Sequence, residues 1–134
     1  MHGTHTPLPV SYEASGGAHA IDPDTWQTVV RLALPAGRFV ILGKALVHNQ
    51  QDSSAQVAFK LLTDTGLHLE TSDTTLPRAS LVGVNSYATV PFLCSCTLTD
   101  PGFVDLKAIE GNGLDGVWLA HAQLTAIQVQ EAER

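Results

Sequence analysis

The chain has 134 residues, of which 44% are hydrophobic and 15% are charged, and its formal net charge is -6. This length fits one domain with a single core, and the negative charge argues against binding to phosphate backbones. No apolar run is long enough for a membrane span, and the low charge content suggests that much of the surface meets other protein.

Residues 1–24 are rich in proline, glycine and histidine and show no sustained periodicity. This composition predicts an extended N-terminal arm rather than a part of the fold. We expect the arm to lie along a neighbouring subunit or partner, with packing on its own domain as the alternative. The segment has neither the basic nor the apolar region of a secretion signal, so we expect a protein made without one.

From Trp26 the apolar residues repeat with period two, as in strands with one buried face. In TWQTVVRLAL this spacing puts Trp26, Thr28, Val30, Leu32 and Leu34 on one side. The next segment, RFVILGKALVHN, is apolar on both faces at its start, which predicts a strand covered on both sides. AQVAFKLLT alternates again.

Five further strands are predicted, and no segment has the spacing of an amphipathic helix. Together the pattern favours about eight strands in an antiparallel sandwich or barrel over residues 25–130, followed by a C-terminal tail at residues 131–134. The five segments are LHLETS, SLVGVN, ATVPFLCSCTLT, FVDLKAI and VWLAHAQLTAIQVQ.

The turn LPAGRF, the strand ending LVHN, the segments QVAFKLL and ATVP, and the closing LTAIQV occur in an order that resembles small jelly-roll domains of the tumour-necrosis-factor-like type. Such domains occur in bacterial surface proteins and bacteriophage virion proteins. The resemblance covers roughly residues 26–129 and rests on turns and core strands. It implies an all-β jelly-roll sandwich.

The resemblance also implies a non-enzymatic protein that forms trimers, with one sheet of each subunit facing the threefold axis. We expect a capsid decoration or cement protein of a virion, made in the host cytoplasm, whose partners are copies of itself and a capsid or other virion protein. A bacterial cell surface is the alternative location. The residues expected to mediate assembly are Pro7, Leu8, Pro9, Val10, Tyr12, Trp118 and Leu124.

A second hypothesis is a receptor-binding or glycan-binding module of a phage fibre or bacterial surface. It would use loops 50–54, 64–66 and 111–116, with Asp52, Asp64, Asn112 and Asp115 as the binding rim. The aromatic residues Trp26, Tyr87 and Trp118 are candidates for stacking on sugars, although core or interface anchoring is the more common use of such side chains.

A third hypothesis comes from KLLTDTGL, because Asp64-Thr65-Gly66 resembles the active-site loop of a homodimeric aspartic protease. Two copies of Asp64 could share a proton as a catalytic dyad. The same residues also suit a hairpin turn, in which Asp favours the turn and Gly accepts a positive φ. Two observations favour the turn. Leu67 is larger than the residue that usually follows such a loop, and the apolar-apolar-Gly strand that crosses behind the loop in these proteases is not found at a suitable distance along the sequence.

No cofactor or metal is expected, because the six histidines and two cysteines lack metal-ligand spacing. His121 is the best candidate for a site formed by three copies around a trimer axis. Cys94 and Cys96 are read as reduced residues on the buried face of a strand. Glu110, Asn112 and Asp115 offer oxygen atoms, but without the ligand series of a dedicated calcium loop.

Overall fold

The computed structural model describes residues 10–78 and 86–131, and within these ranges it contains nine β-strands and no helix. The strands are β1 Ser11–Gly16, β2 His19–Ala20, β3 Gln27–Leu34, β4 Gly37–Asn49, β5 Ala55–Thr63, β6 His68–Leu76, β7 Ser86–Leu98, β8 Gly102–Glu110 and β9 Val117–Glu131.

The strands form two antiparallel sheets that pack face to face as a jelly-roll sandwich. The five-stranded sheet has the order β1-β9-β4-β7, with β2 also paired to β9, and the four-stranded sheet has the order β3-β8-β5-β6. The chain crosses between the sheets from β3 to β4, from β4 to β5 and at each connection from β6 to β9, whereas β5 and β6 form a hairpin within one sheet. The predicted fold class is confirmed.

The core lies between the two inner faces and is built by alternate residues of each strand. On β4 these are Phe39, Ile41, Ala45 and Val47, all fully buried. Phe59 of one sheet meets Phe92 of the other edge to face, with ring centroids 5.4 Å apart. Each large apolar side chain buried in this way stabilises the fold by about 1.5–3 kcal/mol relative to its exposed state.

The N-terminal segment differs from the predicted arm. Ser11–Gly16 and His19–Ala20 pair in succession with β9, and Ile21 is buried in the core. A free edge of the long β9 would expose its backbone groups, and this pairing satisfies them. The boundary predicted at residue 24 is therefore too late. Residues 1–9 lie outside the described ranges.

Gly16 allows the two sheets to approach each other beside β1. A Cβ atom at this position would lie 2.3 Å from the backbone oxygen of Val29 in β3. Only glycine fits so close to another backbone. The end of the N-terminal segment is thus fitted to the sandwich of its own chain.

Most of the predicted strands are present, with two differences within the described residues. A bulge between Thr28 and Val30 shifts the register of β3, so Thr28 is exposed instead of facing the core with Val30. An extra residue in one strand is what reverses the alternation. Strand β6 continues to Leu76, beyond the predicted LHLETS. The predicted strand SLVGVN, residues 80–85, lies outside the described residues, and so do residues 132–134 of the predicted tail.

Candidate functional site

The outer face of the five-stranded sheet carries a band of apolar side chains. Leu93 of β7, Leu42 of β4 and Thr125 of β9 lie directly opposite each other in one row. In the next row, Ser95 lies opposite Val40, which lies opposite Ile127. We call this surface the five-stranded face. Leu42 is 42% exposed and Leu93 is 63% exposed, which is unusual for large aliphatic residues in the middle of a sheet.

The same face ends in an aromatic row. Tyr87 pairs with His48, which pairs with Trp118 on the other side. The rings of His48 and Tyr87 are 5.3 Å apart and tilted by 35°, and Tyr87 is 58% exposed. The buried Nδ1 atom of His48 has no hydrogen-bond partner within the described residues. The sequence did not assign a role to His48, because the neighbours of its side chain depend on which strands lie beside β4.

The sequence predicted that the start of β4 is covered on both sides, and within one chain this is wrong. Val40 is half-buried and Leu42 is exposed, because nothing in the described part of the chain packs over them. A run of apolar residues indicates cover on both faces but cannot say whether that cover comes from the same chain.

The structure separates the residues expected to mediate assembly. Val10 is exposed, and its carbonyl accepts a hydrogen bond of 2.8 Å from the backbone N–H of Gln128. Tyr12 packs edge-on against Phe39 with centroids 6.1 Å apart, and Trp118 is half-buried on the five-stranded face. Leu124 is fully buried in the core, so it cannot contact a neighbour. Pro7, Leu8 and Pro9 lie outside the described residues.

The predicted binding rim does not come together, because its members lie at opposite ends of the sandwich. Loops 50–54 and 111–116 adjoin at one end, where the Asn112 side chain donates to the Ser54 carbonyl at 3.1 Å. Asp64 lies at the other end, beside the turn before β8, where its N–H donates to the Phe103 carbonyl at 3.0 Å. Asp52 and Asp115 therefore share an end with Asn112 but not with Asp64.

The Asp-Thr-Gly segment forms the hairpin turn between β5 and β6, as the turn interpretation predicted. The Gly66 N–H donates to the Thr63 carbonyl at 2.9 Å, and Gly66 has a φ of 87°, a conformation that glycine adopts without strain. The Asp64 carboxylate lies so close to Gly102 that a Cβ atom there would be 2.7 Å from it. Asp64 thus joins two turns at the surface.

Glu110 organises the loop that follows β8. Its carboxylate is fully buried and accepts backbone N–H bonds from Gln56 at 2.9 Å, Asn112 at 2.7 Å and Leu114 at 2.8 Å. These donors occupy the oxygens that a cation would need. The inward position could have been found in the sequence, because Glu110 continues the alternation of the buried residues Leu106 and Ala108.

Histidine and cysteine side chains form no metal cluster within the described residues, where no group of three or more His, Cys, Asp or Glu side chains converges. His121 is exposed on β9, opposite Leu46. Both cysteines are free, as predicted. Burial, followed by the charge of Glu70 and the neighbouring Cys96, raises the pKa of Cys94 to about 11, which keeps this thiol protonated and poorly nucleophilic at neutral pH.

The outer face of the four-stranded sheet, which we call the four-stranded face, is charged. Arg31 of β3 makes a two-point ion pair with Asp105 of β8, with distances of 2.8 and 3.0 Å. Its guanidinium lies 3.9 Å from the centre of the Phe103 ring. The hydrogen bond to Asp105 raises the pKa of Arg31. Since Asp105 is almost fully buried, Arg31 neutralises a charge that has little contact with water.

One row along, two lysines lie side by side on this face. Lys60 of β5 is directly opposite Lys107 of β8, and the Lys60 ammonium lies 4.2 Å from the centre of the Trp26 ring. A cleft of about 410 Å³ is lined here by Trp26, Lys60, His68, Thr71 and Asp73. The pairing of distant strands creates this group, so the sequence pattern did not reveal it.

No helix in the described part of the chain is long and apolar enough to cross a membrane.

Comparisons with known proteins identify the fold. No family model matches the chain, and no curated protein matches it. Among solved structures, a protein chain in the structure of infectious bursal disease virus, Gx strain, aligns with 91% of this chain at a TM-score of 0.64 and 13% identity. A second structure of this virus, its T13 viral particle, covers 90% with a TM-score of 0.57 and 15% identity. The chain spans about a third of each viral protein, 32% and 31%.

A non-viral structure matches over nearly its whole length. Eiger TNF from S. frugiperda covers 94% of this chain and 96% of its own, with a TM-score of 0.57 and 12% identity. At these identities the similarity concerns the fold alone. The chain therefore has the tumour-necrosis-factor-like jelly-roll fold that its turns and core strands resemble, and the viral structures contain a domain of the same fold.

Proposed function

We propose that the protein is a non-enzymatic structural component of a virion, a decoration or cement protein that assembles as a homotrimer through the five-stranded face. The observation that carries this proposal is the uncovered apolar band of Val40, Leu42, Leu93 and Ile127. Proteins rarely leave a contiguous apolar surface of this kind in water unless another molecule covers it.

A copy of the same chain is the occupant that these features favour. A head-to-tail contact repeated around a threefold axis closes into a ring and hides the band in every subunit. Tyr87 and Trp118 at the end of the face suit such a contact, because aromatic residues are enriched in the energetic centres of interfaces. The formal charge of -6 per chain is not concentrated at this contact. The charges beside the band include Lys44, next to Leu42 and Thr125, and Glu70, whose carboxylate accepts a hydrogen bond from the Leu93 N–H at 2.9 Å, and these two have opposite signs.

The virion setting is supported by the viral structures that share the fold, four of which are of viral, subviral or virus-derived particles. In those proteins the matching domain is about a third of a longer chain.

The trimer is tested by placing a charge in the apolar band. Leu42→Asp and Leu93→Asp are expected to weaken association by about 3 kcal/mol or more, roughly a hundredfold, because a carboxylate would be buried without a partner. Thr75→Asp on β6, an exposed position in the other sheet, is the matched control. The masses of all three are measured by sedimentation. A wild-type monomer at all concentrations, or equal dissociation of the control, would contradict the proposal.

The role on a particle is tested separately with a chain that lacks residues 1–9, the part of the arm that precedes the described fold. This variant is expected to keep the trimer but to bind virions less tightly in a cosedimentation assay. Unchanged binding would remove the function assigned to the arm, while the trimer would still stand on its own test.

A glycan-binding module is the second candidate, because loops 50–54 and 111–116 adjoin at one end of the sandwich and are held together by Asn112 and Glu110. Substituting Asp52 and Asp115 with Asn would lower the affinity for a glycan bound there.

The aspartic protease hypothesis has a direct test as well. Peptide cleavage by the wild type and by Asp64→Ala is expected to be equal to the buffer background, and activity lost with Asp64 would establish an enzyme.

A further inference from the structure

The four-stranded face holds two lysines, Lys60 and Lys107, that form no ion pair within the described residues. Lys60 and Lys107 are direct cross-strand partners, so their Cβ atoms lie about 4.5–5.5 Å apart. Within residues 10–78 and 86–131, the ion pair of Arg31 with Asp105 is the only one. Like charges directly opposite each other destabilise a sheet. The pair therefore has a cost in the free protein that an anionic ligand would remove.

The surroundings of the two lysines add apolar and hydrogen-bonding groups. Trp26 is 36% exposed and lines the cleft together with the hydroxyl-bearing Thr71 and the carboxylate of Asp73. Thr28 lies opposite Lys107 in the same row. An exposed indole next to hydroxyl and carboxylate groups suits a sugar ring, whose C–H groups pack on the aromatic plane while its hydroxyls donate to Asp73.

We propose that this cleft binds an acidic saccharide, a sugar that carries a carboxylate or sulfate group. The acidic group binds Lys60, which lines the cleft, with Lys107 directly across from it on β8. The sugar ring packs against the part of the Trp26 indole that the Lys60 ammonium leaves exposed. The site is separate from the five-stranded face and from the loop ends, so it depends on neither the trimer nor the loop-based glycan hypothesis. A free inorganic anion would use the lysines but not the indole.

The test is an NMR titration of the full-length protein with sialyllactose, lactose and inorganic phosphate. Saturable binding is expected for sialyllactose only. Lys60→Gln and Lys107→Gln are each expected to weaken it about tenfold, the size of one charged hydrogen bond, whereas Lys60→Arg restores most of the affinity. Trp26→Ala is expected to abolish binding. Circular dichroism of each variant establishes that the sandwich is intact.

Lys44→Gln is the matched control, because it removes the same charge from β4 in the other sheet. Its affinity for sialyllactose is expected to equal that of the wild type. The proposal is overturned if sialyllactose does not bind, if lactose or phosphate binds equally well, or if Lys44→Gln is as damaging as Lys60→Gln. A Leu42→Asp variant that has become monomeric is expected to bind normally, which separates this site from the proposed trimer.

Discussion

The two outer faces of the sandwich are built from the same type of strand but present opposite chemistry. The five-stranded face has an uncharged band around Leu42 and Leu93, while the four-stranded face has Arg31, Lys60 and Lys107 with one buried partner, Asp105. Both sheets bury their inner residues equally well. The difference shows that period-two alternation specifies the core, whereas the outward-facing residues of each sheet are free to form a separate contact.

The largest effect separates the inner and outer positions of the five-stranded sheet. Leu124→Ala is expected to lower the free energy of unfolding by about 2–5 kcal/mol, because it leaves a cavity in the core. Leu93→Ala on the outer face is expected to change it by about 0.5 kcal/mol or less. Urea unfolding of both changes in the Leu42→Asp background excludes an effect of subunit dissociation. Equal losses would mean that Leu93 also supports the monomer.

The next effect concerns the paired and unpaired cations of the four-stranded face. Arg31→Ala leaves the buried Asp105 carboxylate without its partner and is expected to lower the midpoint of thermal or urea unfolding. Lys107→Gln, one row away, is expected to be neutral or slightly stabilising, because it removes a like charge beside Lys60. A large loss from Lys107→Gln would show that this lysine has a structural partner.

Salt distinguishes the two faces without any substitution. Association through the apolar band is expected to be maintained or strengthened by sodium sulfate. Binding of sialyllactose to the lysines is expected to weaken several-fold as sodium chloride screens the charges. Sedimentation and NMR titration over the same salt series measure both, and a trimer that dissociates in salt would indicate an interface made by charged groups.

The smallest effect concerns Cys94, which follows the outward-facing Leu93 and points to the opposite side of β7. The pKa of Cys94 is raised from its ordinary value of 9.0 to about 11. Burial favours the neutral thiol over the thiolate in the folded state. The stability that depends on a neutral Cys94 is therefore complete below pH 9 and is lost as the pH rises through 11. Iodoacetamide is expected to modify the native protein at pH 9 roughly tenfold more slowly than the unfolded chain. Equal rates would place the thiol in water.

Much of the fold could be predicted because strands with one buried face repeat every second residue. The alternation of Val90, Phe92 and Cys96 and the hairpin turn at Asp64 to Gly66 are examples. The N-terminal strand was missed, because SYEASG has little apolar content and forms a strand only by covering the edge of β9. The bulge beside Val29 was also missed, since no single residue type specifies it.

By itself the sequence determined the fold class, the turn at Asp64 to Gly66 and most of the residues that face inward, because these depend on neighbours close along the chain. The tertiary structure alone decided that Leu124 is core, that Asp64 lies far from Asn112, and that Lys60 meets Lys107. Those relations depend on register between strands more than 40 residues apart in sequence, and a local pattern holds no record of which strand lies beside which.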